Sequence, residues 1–349
     1  MLAAVPKELG GLGLNLAQIC QEQRRLGYHA AATALAVNMH FYWTGVAADV
    51  WRSGDKSTEW MLKAAADGEI FAAGHAESGV ELPLLLSTTN AEKVDGGYKF
   101  TGRKSFGSLT PVWTFLGLHG MDTSDPDAPK IVHAFMPRDS SGYTIHEVWD
   151  TLGMRAIQSQ DTALDGAFIP DKYIPRVVDA SFAGVDLFVL SIFAWALMGF
   201  ANVYYGNAQH ALDLTIESVK NKKSLALTRS MAYHPEIQHS IAEMVVDMEG
   251  VGAHLDRVTQ EWSDGVDHGG AWAVKLTAAK LHAAESTWRV VDECMDLQGG
   301  FSIFKAGEFE RIWRDARLVK IHPSNKNLTM EIVGKITLGI NPDEAPRWG

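Results

Sequence analysis

The segment RIWRDARLVKIHPSNKNLTMEIVGK, residues 311–335, holds an Arg314–Asp315 pair near a helix end, a histidine eight positions after Arg314, and a proline directly after that histidine. An imidazole titrates near neutrality, so His322 is suited to giving or taking a proton. Pro323 has no group that could act as a base. GRKSFGS, residues 102–108, reads as a strand, and alternation along a strand places Phe106 and Ser108 on one side. An ordinary serine on a half-buried strand is the plainer reading. In HAESG, residues 75–79, Glu77 is either a surface acid or a ligand. LQGG, residues 297–300, ends a helical stretch. Its glycines serve as a C-cap, or allow a ligand close to the backbone, and both can hold together.

Three textures must position these residues. Residues 1–68 are Ala/Leu-rich with helical periodicity. Residues 69–174 break into short apolar or alternating runs (GYKFTG, VWTFLGLHG, KIVHAFMP, YTIHEVW, TALDGAFIP) separated by Gly, Pro and Asp, which predicts a β-domain. Asp95-Gly96-Gly97 between two such runs predicts a hairpin. Residues 175–349 return to long helices: Ile237, Ile241, Met244, Met248 and Val251 recur at helical spacing, as do Leu281, Ala284, Trp288, Val291 and Met295. The order helices, sheet, helices predicts an α+β fold.

The composition excludes several classes. A chain of 349 residues with 46% hydrophobic content has ample surface to bury, and a net charge of −11 without a Lys/Arg-rich run argues against a nucleic-acid surface. Cys20 and Cys294 are far apart, so neither a disulfide framework nor a thiolate metal site is implied, and a reducing compartment is expected. MLAAVPKELGG lacks the basic start and apolar run of a signal peptide, which with the cysteines predicts a cytoplasmic protein. LFVLSIFAWALMGFANV, residues 187–203, is uncharged and near the lower length of a membrane span. Asp186 at its start and the small and polar residues that follow favour a buried core or subunit-interface helix instead.

VPKELGGLG at the front, AGHAESG entering the sheet, DGGYKFTGRKSFGS within it, WDTLGMRAIQSQD near its end and QGG followed by ERIWRDAR, in this order over essentially the whole chain, resemble the acyl-CoA dehydrogenase superfamily of flavoproteins. The resemblance implies a helical N-terminal domain (apparently shortened), a middle antiparallel β-barrel or sheet domain and a C-terminal four-helix bundle, with FAD as cofactor. It matches Phe106 to an aromatic covering the flavin ring, Ser108 to a hydroxyl near its reactive N5, and Ser159 of LGMRAIQS to a second hydroxyl on the flavin. Arg155 would brace that turn, and Glu77 lies in the loop that reaches flavin and substrate. Gln298, Gly299 and Gly300 match a backbone that approaches the dinucleotide from a neighbouring subunit, which implies a homo-oligomer, a tetramer or at least a dimer. Two departures stand out. The usual Arg-x-x-Phe-Gly pyrophosphate segment is replaced by KKSLALTRSMAYHPEIQ, with Arg229 as substitute, leaving FMN open beside FAD. One or two helices normally precede VPKELGGLG, so the chain is truncated or its start differs, and part of the substrate wall is then missing.

In acyl-CoA dehydrogenases a glutamate takes the substrate α-proton, commonly one residue after the position of His322. Here that residue is Pro323. The alternative family site falls at Trp195–Leu197, again without a carboxylate. The two-component flavin monooxygenase branch, resembling dibenzothiophene monooxygenase and 4-hydroxyphenylacetate hydroxylase, carries a histidine with the spacing of His322 from Arg314. Its members receive reduced flavin from a separate reductase and react it with O₂. The resemblance therefore implies, first, a monooxygenase acting on an apolar or aromatic small molecule, with Ser108 and His322 catalytic. It implies, second, an acyl-CoA dehydrogenase with a displaced base such as Glu77 or Glu331. A non-catalytic partner subunit is the third reading. Met39, Phe41, Trp43 and the aromatic-rich helix 187–205 suggest an apolar pocket, or plain core.

Overall fold

A computed structural model describes residues 1–80, 84–226 and 228–344. Asn15 starts the first helix, α1 (Leu16–Arg52), with a capping box: its side chain accepts from the Gln18 N–H while Gln18 Oε1 accepts from the Asn15 N–H. A short helix, α2 (Glu59–Ala66), leads into the sheet.

The sheet contains β1 (Phe71–Gly74), β2 (Asn90–Val94), β3 (Gly97–Gly107), β4 (Phe115–Asp122), β5 (Lys130–Pro137), β6 (Tyr143–His146), β7 (Gln160–Pro170) and β8 (Arg176–Asp179). Its order is β6-β7-β3-β2-β4-β5-β8, with β1 beside β4. Most pairings are antiparallel, as expected, but β1 and β2 each meet β4 in parallel. The β2–β3 hairpin turns at Asp95-Gly96, where Gly96 has φ 75°.

The second helical part comprises α3 (Leu187–Asn221), α4 (Pro235–Ser263), α5 (Ala271–Gln298), α6 (Phe309–Arg317) and α7 (Lys326–Thr337). The stripe Met244, Met248 and Val251 on α4 is buried, as is Val291 on α5. α1 lies along α3 and completes the group of long packed helices. Their backbones touch because glycines face them: a Cβ on Gly27 would stand 2.3 Å from the Val203 carbonyl oxygen, and one on Gly206 would stand 2.1 Å from that of Arg24. α3 is the one helix among the described residues long and apolar enough to cross a membrane, but 78% of its apolar window is buried inside the protein. It is a core helix.

Several histidines are enclosed. His75 Nδ1 lies 3.1 Å from His119 Nδ1, and both ring nitrogens of His133 are buried without a partner. Burial lowers His40 to about 4 and His133 to about 3, and takes His75 and His119 well below the usual histidine range. A folded-state pKa depressed below the unfolded value means that only the unfolded chain binds the proton as pH falls. Stability from these groups is therefore complete above about pH 6.5 and lost below it. Asp49 and Asp315, whose pKa values burial raises, oppose this in part. At about pH 5 each fully buried histidine should cost on the order of 2 kcal/mol. Urea titrations should show a clearly lower midpoint at that pH than at neutrality; equal midpoints would contradict the account.

Candidate functional site

The chain does not run straight into Ser108. Pairing of β3 with β7 slips between Lys104 and Gly107, Phe106 adopts a left-handed φ of 59°, and Ser108 lies past the strand's end. The expectation that Phe106 and Ser108 share a side is thus corrected, because alternation holds only while the pleat continues. The Phe106 ring is 58% exposed and meets Trp149 edge-on at 6.1 Å. Ser108 is buried, with its hydroxyl 2.7 Å from that of Ser159, which is buried too. The two serines carry two protons and share one hydrogen bond. Among the described residues, one O–H is left for an acceptor the protein does not supply. An exposed aromatic face, exposed Val148 and Leu152, and an unused donor fit a flat heteroaromatic ring with acceptor atoms at its edge, as a flavin has.

Ser159 is placed by the loop 150–159, which α6 holds. Buried Asp315 accepts the Met154 N–H at 2.5 Å, and Arg314 Nη1 donates to the Leu152 carbonyl at 2.9 Å while its Nε pairs with Glu310 at 2.5 Å. Gly153 comes so close that a Cβ would lie 2.2 Å from the Arg314 carbonyl oxygen. Burial raises the Asp315 pKa, and the Met154 N–H draws it partly back. The Arg–Asp pair therefore bolts α6 to the loop, a role its position at a helix end did not reveal. Arg155 donates to the Thr151 carbonyl at 3.0 Å and so braces the loop from within.

Past α6, a tight turn at Leu318–Lys320 leads to His322. The Tyr204 hydroxyl lies 2.8 Å from His322 Nε2, and the Phe200 ring is 5.0 Å from the imidazole. Among the described residues Tyr204 makes no other side-chain hydrogen bond, which favours its O–H donating to Nε2 and the imidazole proton lying on Nδ1. Burial, reinforced by the Lys280 charge, lowers His322 to about 3. Burial thus favours the neutral imidazole, against the expectation of a group titrating near neutrality. Lys280 on α5 fixes this segment, its Nζ donating to the carbonyls of His322 at 2.8 Å, Ser324 at 3.0 Å and Val319 at 3.3 Å. Burial lowers that amine to about 7.

The two candidate substitute bases are engaged elsewhere. Glu77 is buried against Lys104 at 2.5 Å and accepts from Ser87, Thr88 and Thr89. Burial alone would raise its pKa, but Lys104 and these donors lower it. Its carboxylate is closed into this buried ion pair, neither a surface acid nor a free base. Glu331 pairs with Lys335 at 3.0 Å.

A cavity of about 950 Å³ opens beside Pro323, walled by Leu190 and Phe193 of α3, Leu276 of α5 and Leu328 of α7. The apolar pocket expected from helix 187–205 is therefore built from its first turns. Met39, Phe41 and Trp43 are core, with the Trp43 indole donating to the Ala72 carbonyl. Asp49 also lines the cavity, and Trp195 at 2.7 Å and Trp262 at 3.0 Å both donate to its Oδ2. α1 thus brings a carboxylate to the neighbourhood of Trp195, where the sequence offered none.

Gln298, Gly299 and Gly300 stand apart from the serine pair. Gly299 caps α5 with φ 74°, and Lys222 Nζ donates to the Gln298 carbonyl at 3.0 Å. A second cavity, of about 630 Å³, lies between this turn and the end of α3. Arg229 lies over the Tyr233 ring at 4.7 Å in an exposed turn, so the cation seen on Gln298 is Lys222.

The profile of the family described as acyl-CoA dehydrogenase, C-terminal domain, matches residues 198–327. The amino sugar nitrososynthase DnmZ of Streptomyces peucetius is 28% identical over 97% of this chain and 83% of its own length. The mitochondrial isovaleryl-CoA dehydrogenase of Solanum tuberosum is 22% identical over 95% of this chain and 78% of its own. Among solved structures, KijD3 in complex with FMN and dTDP-3-amino-2,3,6-trideoxy-4-keto-3-methyl-D-glucose superposes with a TM-score of 0.80 at 22% identity, covering 97% of this chain and 83% of that one.

Proposed function

We propose that this chain is an oxygenating flavoenzyme of the acyl-CoA dehydrogenase superfamily, taking reduced flavin from a separate reductase and using O₂ to oxygenate an apolar small molecule. Pro323 carries this reading, because it stands where the resemblance places a dehydrogenase's glutamate and has no group that can act as a base. The nitrososynthase DnmZ and FMN-bound KijD3 support it. Reduced flavin, FMN or FAD, supplies two electrons when bound, so that one oxygen atom of O₂ enters the substrate and the other leaves as water. With flavin bound, Phe106 would cover the ring, the Ser108–Ser159 pair would donate its free O–H to the ring edge, and His322 Nδ1–H would supply a neutral donor. Gln298, Gly299 and Gly300 offer backbone to the rest of the cofactor, with Lys222 rather than Arg229 as the nearby cation.

Flavin, reductase, NADH, O₂ and a panel of apolar substrates test the reading together with Ser108→Ala. The variant should fold, since one such hydrogen bond contributes about 1 kcal/mol. It should divert reducing equivalents from product to hydrogen peroxide. An unchanged ratio of product to peroxide would remove Ser108 from the site.

One observation favours dehydrogenation instead: Asp49, hydrogen-bonded to Trp195 beside the cavity, could stand in as the displaced base. We also assign the exposed Phe301, Ile303 and Phe304, next to Gly299, to a contact between copies of the chain in a dimer or tetramer, because monomeric surfaces rarely expose such clusters. Light scattering at micromolar concentration should return a multiple of 38.2 kDa; a monomeric mass would sink the assignment.

A further inference from the structure

Lys280 lies in the middle of α5 with 1% of its surface exposed, and among the described residues no carboxylate pairs with it. The nearby acid Glu285 is engaged with Lys320 at 2.9 Å. A buried cation without a counter-ion is costly unless its donors find acceptors. The three donors of the ammonium group have three backbone carbonyls before them, and all three belong to residues 319–324, the turn that carries His322 and Pro323.

That turn has little else to hold it. It leaves α6 through Leu318–Lys320 and re-enters helix at Lys326, and among the described residues no backbone N–H donates to the His322 or Ser324 carbonyl. Its far end is tied to α7: Asn325 accepts the Leu328 N–H at 3.0 Å, and Ser324 Oγ lies 2.9 Å from Thr329 Oγ1. His322 is gripped at two points instead. Tyr204 of α3 meets the ring at 2.8 Å, and Lys280 of α5 meets the carbonyl of the same residue at 2.8 Å. Since α3 packs along α5, the imidazole is clamped between two long helices of the core.

We propose that Lys280 is the positioning residue of the His322 donor: its three carbonyl bonds fix the turn and so aim the imidazole, and Lys280 acts through that ring rather than on the substrate. A lysine that only stabilised the bundle would tie separate elements together, whereas these acceptors all lie in one turn. The inference rests on the proposed oxygenase, in which His322 supplies a neutral donor, and adds the residue that places it.

A double-mutant cycle tests it. Lys280→Met keeps a long side chain and removes all three donors. With His322 present it should lower oxygenation turnover about tenfold or more, since a misplacement of about 1 Å can cost on the order of 10²-fold, while substrate KM and flavin affinity change less than about twofold. In the His322→Ala background the same change should cost less than about twofold, because no ring is left to aim. Equal losses in both backgrounds, or full turnover in Lys280→Met, would overturn the proposal. Lys280→Gln keeps two donors, so it should lose less and show the same dependence on His322; it decides the matter should Lys280→Met fail to fold. A crystal structure of either variant needs no turnover: the Tyr204–His322 contact should open beyond hydrogen-bond distance, and its survival at 2.8 Å would count against Lys280. Should no substrate be oxygenated, the oxygenase reading alone would fall, and that contact would still decide for or against Lys280.

Discussion

Saturated acyl-CoA esters, added without oxygen to the flavin-loaded protein, should leave the oxidised-flavin absorbance unchanged. Desaturation requires a base to take the α-proton as the hydride leaves, and a positioned base is worth on the order of 10²-fold or more in rate. Pro323 cannot supply it, Glu77 is closed into an ion pair with Lys104, and Glu331 is paired with Lys335. Asp49 is the carboxylate that could intervene, and Asp49→Asn separates the cases. Bleaching by any acyl-CoA that persists in His322→Ala but vanishes in Asp49→Asn would return the protein to the dehydrogenases with Asp49 as base. Absence of bleaching across short, long and branched esters, with O₂ consumption on adding reduced flavin, would leave the oxygenase reading standing.

Periodicity carried most of the fold. The shift from helical spacing to short alternating runs and back is visible in composition alone, and the Asp95-Gly96 turn is legible because a two-residue hairpin needs a positive φ. The two parallel pairings to β4 and the closure of the helical group by α1 were not legible. Both depend on contacts between segments far apart in sequence, which no local pattern records.

The site was legible where one residue's chemistry decides, and not where a partner does. Ser108 and Ser159 could be picked out singly, but their 2.7 Å contact needs the slip in β3, and alternation predicted the opposite facing for Phe106. Glu77 could not be told from a ligand without Lys104, twenty-seven residues away, at its carboxylate. Lys280 left a trace: a lysine among the alanines of AAKLHAA, in the middle of a buried stripe, must find several acceptors or give up its charge. Asp49 left a weaker one, as a single acid in an otherwise apolar stretch of α1.

His322→Ala should lower oxygenation turnover on the order of 10²-fold, the usual effect of removing one preorganised donor. Flavin affinity should change little, because the ring is assigned to Phe106 and the serine pair. The shape of the pH profile distinguishes the role seen here from proton transfer. With burial and Lys280 holding His322 at about 3, its neutral form prevails across the working range, so no limb near the ordinary histidine pKa should belong to it. Tyr204→Phe leaves the imidazole in place but frees Nε2, so the proton is no longer confined to Nδ1. It should lose about tenfold, a smaller effect than removing the ring, since a tautomer preference set by one hydrogen bond is worth roughly 1 kcal/mol. Turnover profiles of the three proteins from mildly acidic to mildly basic pH decide between the accounts: a limb near neutrality that vanishes with His322 would make it an acid–base group after all, whereas parallel profiles separated only in height would fit a fixed, neutral donor.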